Sequence, residues 1–279
     1  MALPILRTSA DTRPRATILS FWLALVRHRS LLWRLVQRDL ASRYRGSLAG
    51  LLWSLVLPCV MLGVYLFVFG HVYAPVRGRG IDAGFALSLF AGMLLHGLLA
   101  ECLSRSPGAV LSQPSYVKKV VFPVELLPLT VVGTATIQFL IGSGVMFLAM
   151  SVSQGLGLHA LLWPLAWLPL LALCMGVSFA LAALTVYLRD LAQLTGFFST
   201  ILLFLSPVFY PLESAPTGWQ RWLLLNPLTI PIESSRALLV HDKLPSLTLW
   251  GLHAVVCMVV LCAGWWIFQR TRRGFSDVI

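Results

Sequence analysis

Apolar residues in this chain come in runs too long for the interior of a small soluble fold, and the polar residues stand mostly between those runs. A helix needs about 20 apolar residues to cross roughly 30 Å of hydrocarbon, where it satisfies its own backbone. Six segments reach that length, at about 50 to 70, 84 to 103, 124 to 150, 160 to 187, 193 to 212 and 246 to 268. They predict an all-α, polytopic integral membrane protein with six transmembrane helices. Upstream, residues 17 to 45 set Ile18, Trp22, Leu25, Leu32, Leu35, Val36 and Leu40 on one face and Arg27, Arg29, Arg34, Arg38 and Arg43 on the other. Such a helix lies flat in the headgroup layer, apolar face in lipid and arginines beside anionic phosphates. Packing on a partner protein would produce the same pattern. The stretch from Trp222 to Val240 is apolar as well, but Asn226, Pro227, Pro231, Glu233 and Arg236 interrupt it. It predicts short re-entrant or interfacial helices before the last span.

Composition supports the membrane reading. Of 279 residues 58% are hydrophobic and only 11% charged, with a mean hydropathy of +0.84, whereas soluble domains carry about 25% charged residues. The net charge of +11 raises the question of nucleic acid. Its distribution answers it, because the basic residues flank apolar runs and form no stripe interleaved with aromatics. With the N-terminus inside, sixteen of the 21 basic residues fall on the cytoplasmic side, among them Arg105, Lys118, Lys119, Arg189 and Arg270. Only Arg77, Arg79, Arg221, Arg236 and Lys243 fall outside. That bias orients the chain with both termini cytoplasmic. Residues 1 to 17 are polar and mixed, so no cleavable signal is expected. Cys59, Cys102, Cys174, Cys257 and Cys262 lie in or beside apolar stretches without metal or redox spacing, as small hydrophobes do. No repeat or composition break marks a second domain. The expected organisation is an extension at 1–16, an interface helix at 17–47 and one transmembrane domain at 48–279. That domain includes a cytoplasmic loop at 105–123 and an outer-side region at 213–245.

Catalytic chemistry has little to stand on. No glycine-rich loop ends in Gly-Lys-Ser/Thr, so the chain is expected to hydrolyse no ATP by itself. Six scattered histidines and the absence of a Gly-x-Ser-x-Gly elbow argue against metal and nucleophilic catalysis. Ionisable groups near membrane depth are His96, Glu101, Glu125 and His253. An isolated charge there is costly, which makes each a functional question. Glu101 and Glu125 sit near cytoplasmic ends, where water or Arg105 can satisfy them. A structural role is favoured over a proton relay.

Three stretches go further than composition. Arg38-Asp39-Leu40 is followed by Arg43-Tyr44-Arg45-Gly46-Ser47 and Leu48-Ala49-Gly50-Leu51-Leu52-Trp53. Arginines and Tyr44 anchor at headgroup level, and Gly46 and Gly50 permit a tight turn into the first span. The loop after the second span reads Pro114-Ser115-Tyr116-Val117-Lys118-Lys119-Val120-Val121-Phe122-Pro123-Val124-Glu125, with prolines placed to bracket a short helix. Later come Tyr187-Leu188-Arg189-Asp190, Leu205-Ser206-Pro207-Val208-Phe209-Tyr210-Pro211 and Leu225-Asn226-Pro227. Ser206-Pro207 breaks backbone bonding at depth, which is tolerated only against protein or a water-filled cavity.

Together these stretches resemble the permease subunits of O-antigen and related polysaccharide exporters, within the type-2 ABC exporter (ABC-2) superfamily. The resemblance implies a homodimer of this chain paired with two copies of a separate ATPase, which would carry the ATP and magnesium. This chain would hold no cofactor and no metal. It implies that Ser115, Tyr116, Val117, Lys118, Lys119 and Phe122 dock on the ATPase as a coupling helix. Positive-inside bias alone also predicts the two lysines. The cargo would be a glycan on a lipid carrier, undecaprenyl diphosphate in the O-antigen branch, crossing the bacterial inner membrane. Arg38, Arg43, Tyr44 and Arg45 stand where its diphosphate would enter, and membrane anchoring predicts them too. Aromatic side chains can hold sugar faces weakly, as conduction requires. Trp53, Tyr65, Phe69, Phe197, Phe209 and Tyr210 are candidates, and lipid-facing positions would account for each of them singly. In place of the family's Asn-rich lead the loop has Gln113-Pro114-Ser115. Other readings are a permease for a small lipid, drug or haem, an intramembrane lipid-sugar enzyme, and a passive channel. The Lys-Lys-Val-Val-Phe-Pro string argues against the first and the lack of an Asp-rich motif against the second. A passive channel would need no coupling loop.

Overall fold

Helices fall where the apolar runs place them, and their lengths decide which can cross a bilayer. The computed structural model describes residues 18–72, 83–118, 122–153, 155 and 157–279. The extension at 1–16, Arg77, Arg79 and Lys119 therefore lie outside the described residues. Among those described, every regular element is helical. In chain order they are α1 (Ile18–Arg27), α2 (Arg29–Arg43), α3 (Trp53–Phe67), α4 (Ala83–Arg105), α5 (Gly108–Leu111), α6 (Pro114–Val117), α7 (Leu126–Ser153), α8 (Trp163–Tyr187), α9 (Leu191–Phe204), α10 (Thr217–Leu223), α11 (Thr229–Leu239), α12 (Leu247–Thr271) and α13 (Phe275–Val278).

Among the described residues, five helices are long and apolar enough to span, those built on α3, α4, α7, α8 and α12. The predicted segment at 193–212 differs. Its helix α9 has 14 residues and stops at Phe204, about 21 Å at 1.5 Å per residue against roughly 30 Å of hydrocarbon. Pro207 explains the stop, having no N–H to give and a ring that clashes with the preceding turn. The chain continues in turns through Pro211. The apolar stretch before the last span forms α10 and α11, two short helices, as its prolines and charges predict.

The single interface helix expected at 17–45 is two helices, interrupted at His28. Leu35 and Val36 of the expected face are buried, but at its start the buried face is one position off. Trp22 is half exposed, and Phe21 is buried instead, edge-on to Phe179 and Trp265 at 6.0 and 5.4 Å. After α2 the chain turns at Gly46 and Gly50, whose φ values of +85° and +50° lie where glycine is at ease.

Two apolar clusters hold the bundle. One joins α4, α7 and α8 through residues such as Leu95, Met146 and Leu170. The other joins α1, α8 and α12 through Phe21, Phe179, Trp265 and Phe268. Helices α8 and α12 approach closely where Gly176 and Gly264 meet backbone to backbone. Small residues permit such contact in membranes, where packing rather than water expulsion joins helices. At the periphery, only 6% of the first span is buried in the chain, against 67% of the second.

Candidate functional site

Polar side chains concentrate at one end of the bundle, where α2, α4 and α7 meet. Asp39 and Arg43 stand one turn apart on α2 and face the last turn of α4. Arg105 Nη2 donates to both oxygens of Asp39 at 2.8 Å, and its Nη1 donates to Glu101 at 3.2 Å. Arg43 pairs with the same Glu101, and the Thr134 hydroxyl of α7 lies 2.8 Å from Asp39 Oδ2. Two guanidinium groups and two carboxylates thus cancel in charge and pin the interface helix to two spans. Burial chiefly, and then Arg105, lower the Arg43 pKa, while Asp39 and Tyr44 oppose them. Arg105 does satisfy Glu101, as expected. Arg43 is a second partner, and Asp39 and Thr134 are residues that sequence reasoning missed.

The loop between α4 and α7 is tied to the same helix. Arg38 Nη1 donates to the Tyr116 hydroxyl at 2.6 Å, its guanidinium lies 5.5 Å from the ring centre, and Tyr116 stacks on Phe122 at 4.4 Å. The helix expected between Pro114 and Pro123 is a single turn, Pro114–Val117, capped by Lys118. Proline starts it as predicted, but Pro123 lies beyond its end. Ser115 and Lys118 are exposed.

The four residues proposed around a lipid diphosphate divide. Arg43 turns to Glu101, and the Tyr44 hydroxyl accepts a bond from Gln138 Nε2 at 2.9 Å. Arg38 and Arg45 instead line a groove of about 520 Å³ that also includes Arg105. The six aromatics do not converge either. Tyr65 and Phe69 pack inward on Phe90 and Phe85 at 6.1 and 5.8 Å. Phe209 stacks on Phe204 at 6.4 Å, Tyr210 is half-buried, and Trp53 and Phe197 are exposed.

At the opposite end, the broken backbone after α9 has its own partner. Arg236 of α11, which the positive-inside count assigns to an outer loop, is buried. Its Nε donates to the Ser88 hydroxyl at 3.0 Å, its Nη2 to the Pro207 carbonyl at 2.9 Å, and it pairs with Glu233. Glu233 in turn accepts the Leu212 N–H at 3.0 Å. One residue pair therefore satisfies the Pro207 carbonyl and the Leu212 N–H on either side of the break. Opposite charges three positions apart inside an apolar helix were the signal for it. Removing one partner of a buried pair strands the other. Arg236→Ala should lower stability by about 3 kcal/mol, read as early thermal unfolding in detergent, while Arg236→Lys recovers part of it. Beyond it, His159 holds Asp242 at 2.9 Å, and this bond draws the Asp242 pKa below the usual carboxylate range.

The family described as ABC-2 type transporter matches residues 30–240. The chain belongs to that family. The ABC-2 match runs from α2 through α11, so it takes in the charge cluster, the loop and the Arg236 staple. Relatives match over nearly their whole length. The O-antigen export system permease protein RfbA of Myxococcus xanthus is 31% identical over 258 residues, 91% of this chain and 97% of that protein. The protein of the same name from Klebsiella pneumoniae is 24% identical over 257 residues, 89% and 95% of the two chains. The polysialic acid transport protein KpsM of Escherichia coli is 24% identical over 242 residues, 85% and 91%. An ABC-2 chain with these spans is a multi-pass membrane protein.

Proposed function

We propose that this ABC-2 chain is the membrane-spanning permease subunit of an ATP-driven exporter of lipid-linked polysaccharide, O-antigen before capsular polysaccharide or teichoic acid. The observation that carries this is the match, along 97% of its length, to a permease named for O-antigen export. On this reading the chain works as a homodimer in the bacterial inner membrane, with both termini cytoplasmic. Two copies of a separate ATPase supply ATP, magnesium and hydrolysis, and this chain supplies neither cofactor nor catalytic group. The geometry supports the sidedness. The ends of α4, α8 and α12 and the entry to α7 share one face, where Arg272 reaches Glu125 at 3.3 Å and Tyr187 donates to the Thr271 carbonyl at 3.0 Å.

The loop 105–123 is then the docking surface for the ATPase, with Ser115 and Lys118 outward and Tyr116 behind them. Movement of the ATPase would pass from Tyr116 to Arg38 and so to α2. Expression with the cognate ATPase, gentle solubilisation and assay of glycan-stimulated ATP hydrolysis test the reading. Copurification with stimulated hydrolysis is expected. Tyr116→Ala should leave the complex intact and lose most of the stimulation. A chain that binds no ATPase and still moves a substrate would overturn the proposal.

A further inference from the structure

A cavity of about 370 Å³ opens between α3, α4 and α7 at membrane depth, within the roughly 300–1,000 Å³ of ordinary ligand pockets. Its walls are hydrocarbon, from Leu57 and Met61 on α3 to Leu94 and Leu98 on α4. Tyr65 and Phe90, 6.1 Å apart, line it farther along the same helices. Its other end is polar and lies at the headgroup level, where Tyr44, Ser54, Glu101 and Gln138 line it. Two features keep it open. Gly97 lines it with nothing within 4 Å of where a Cβ would stand. The first span packs loosely on the bundle, with Leu62 its only buried residue between Trp53 and Phe67.

We infer that this slot binds one acyl chain of a bilayer phospholipid. An apolar void forfeits dispersion contacts and does not hold water. The slot opens beside the first span at membrane depth, where a hydrocarbon chain is the available filler. The polarity of the slot matches that of an amphiphile. The Tyr44 hydroxyl accepts from Gln138 and keeps its own proton, for which no acceptor stands among the described residues. That O–H is placed to donate to an ester or phosphate oxygen. The four charges beside the mouth, Asp39, Arg43, Glu101 and Arg105, cancel, so the site reads the chain and the hydrogen bond rather than headgroup charge. A bound chain would wedge the first span against α4 and α7. This inference needs only a membrane-embedded chain and is independent of what is exported.

The test uses the permease with its ATPase, reconstituted in bilayers of phosphatidylethanolamine and phosphatidylglycerol, moved to mild detergent and weighed by native mass spectrometry. The wild type should retain one phospholipid per permease chain from either headgroup class. Gly97→Leu projects a side chain into the slot from a position where a Cβ meets nothing within 4 Å and should retain none, whereas Gly97→Ala should retain it. Tyr44→Phe keeps the shape and should weaken retention about fivefold to tenfold, the scale of one hydrogen bond. This arm stands even if Gly97→Leu fails to assemble. Equal retention by the wild type and Gly97→Leu overturns the inference. So does a strict requirement for the anionic headgroup, or retention of a polyprenyl lipid with no phospholipid.

Discussion

Gly264→Ala is expected to leave little folded permease. A Cβ on Gly264 would enter the backbone of Gly176 on the facing helix, and one on Gly176 would come within 2.6 Å of the Leu261 nitrogen. Most overpacking costs about 1–3 kcal/mol because neighbouring side chains rotate away. Here the obstacle is main chain on both sides, and it cannot rotate. Relief requires α8 and α12 to separate, which opens the aromatic cluster of Phe179, Trp265 and Phe268 beside the contact. The cost therefore lies above the usual range, at more than about 3 kcal/mol. Membrane-inserted, detergent-stable protein measured by fluorescence size-exclusion should fall sharply for Gly264→Ala and for Gly176→Ala alike. Gly97→Ala, at a glycine with open space around it, is the control and should behave as wild type. Normal yield and melting of Gly264→Ala would show that the two helices do not pack at this crossing.

Arg105→Ala is expected to detach the interface helix without unfolding the bundle. Arg105 is the only cation at ion-pair distance from Asp39 among the described residues, and Glu101 keeps Arg43 when it is removed. Breaking a fully buried pair costs about 3–5 kcal/mol. The side chains here are 32% and 24% exposed, so solvent screening brings the expected loss to about 2 kcal/mol. That free energy belongs to the contact between α2 and the spans. The expected signature is thus faster hydrogen exchange over residues 29–43, with spans α7 and α8 unchanged, and a loss of transport-coupled ATP hydrolysis. Asp39→Asn should reproduce much of it, because an amide cannot accept both Arg105 bonds as strongly. Unchanged exchange in α2 would mean that the apolar contacts of Leu35 and Val36 suffice.

The helices themselves were legible because each depends on local hydrophobicity and on proline. Leu126–Ser153 and Leu247–Thr271 follow from apolar runs, and the stop at Phe204 follows from Pro207. Even so, the 193–212 run reads as a span by hydropathy, because Ser206 and the two prolines dilute an apolar window without reversing it. The helix at 114–123 was over-extended for the reverse reason. Two prolines permit a helix between them but do not require one that long. Phe21 and Trp22 are neighbours of similar hydropathy, and only the position of Phe179 and Trp265 selects which is buried.

The site divides in the same way. That Arg38, Arg43 and Tyr116 fall on the side where basic residues collect follows from the charge pattern, a property of local sequence. Which partner each finds does not. Arg236 meets Ser88 across 148 positions and Thr134 meets Asp39 across 95, and no local pattern encodes such pairs. By itself, the sequence determined the class of protein, most of the helices and the family, because these rest on hydrophobicity, proline and short motifs. Tertiary structure alone decided that Arg236 is buried and Arg45 exposed, that Gly176 and Gly264 touch, and that a lipid-sized slot stands beside Gly97. Each of these depends on which faces of distant helices meet, and helix packing in a membrane selects that by shape rather than by hydrophobicity.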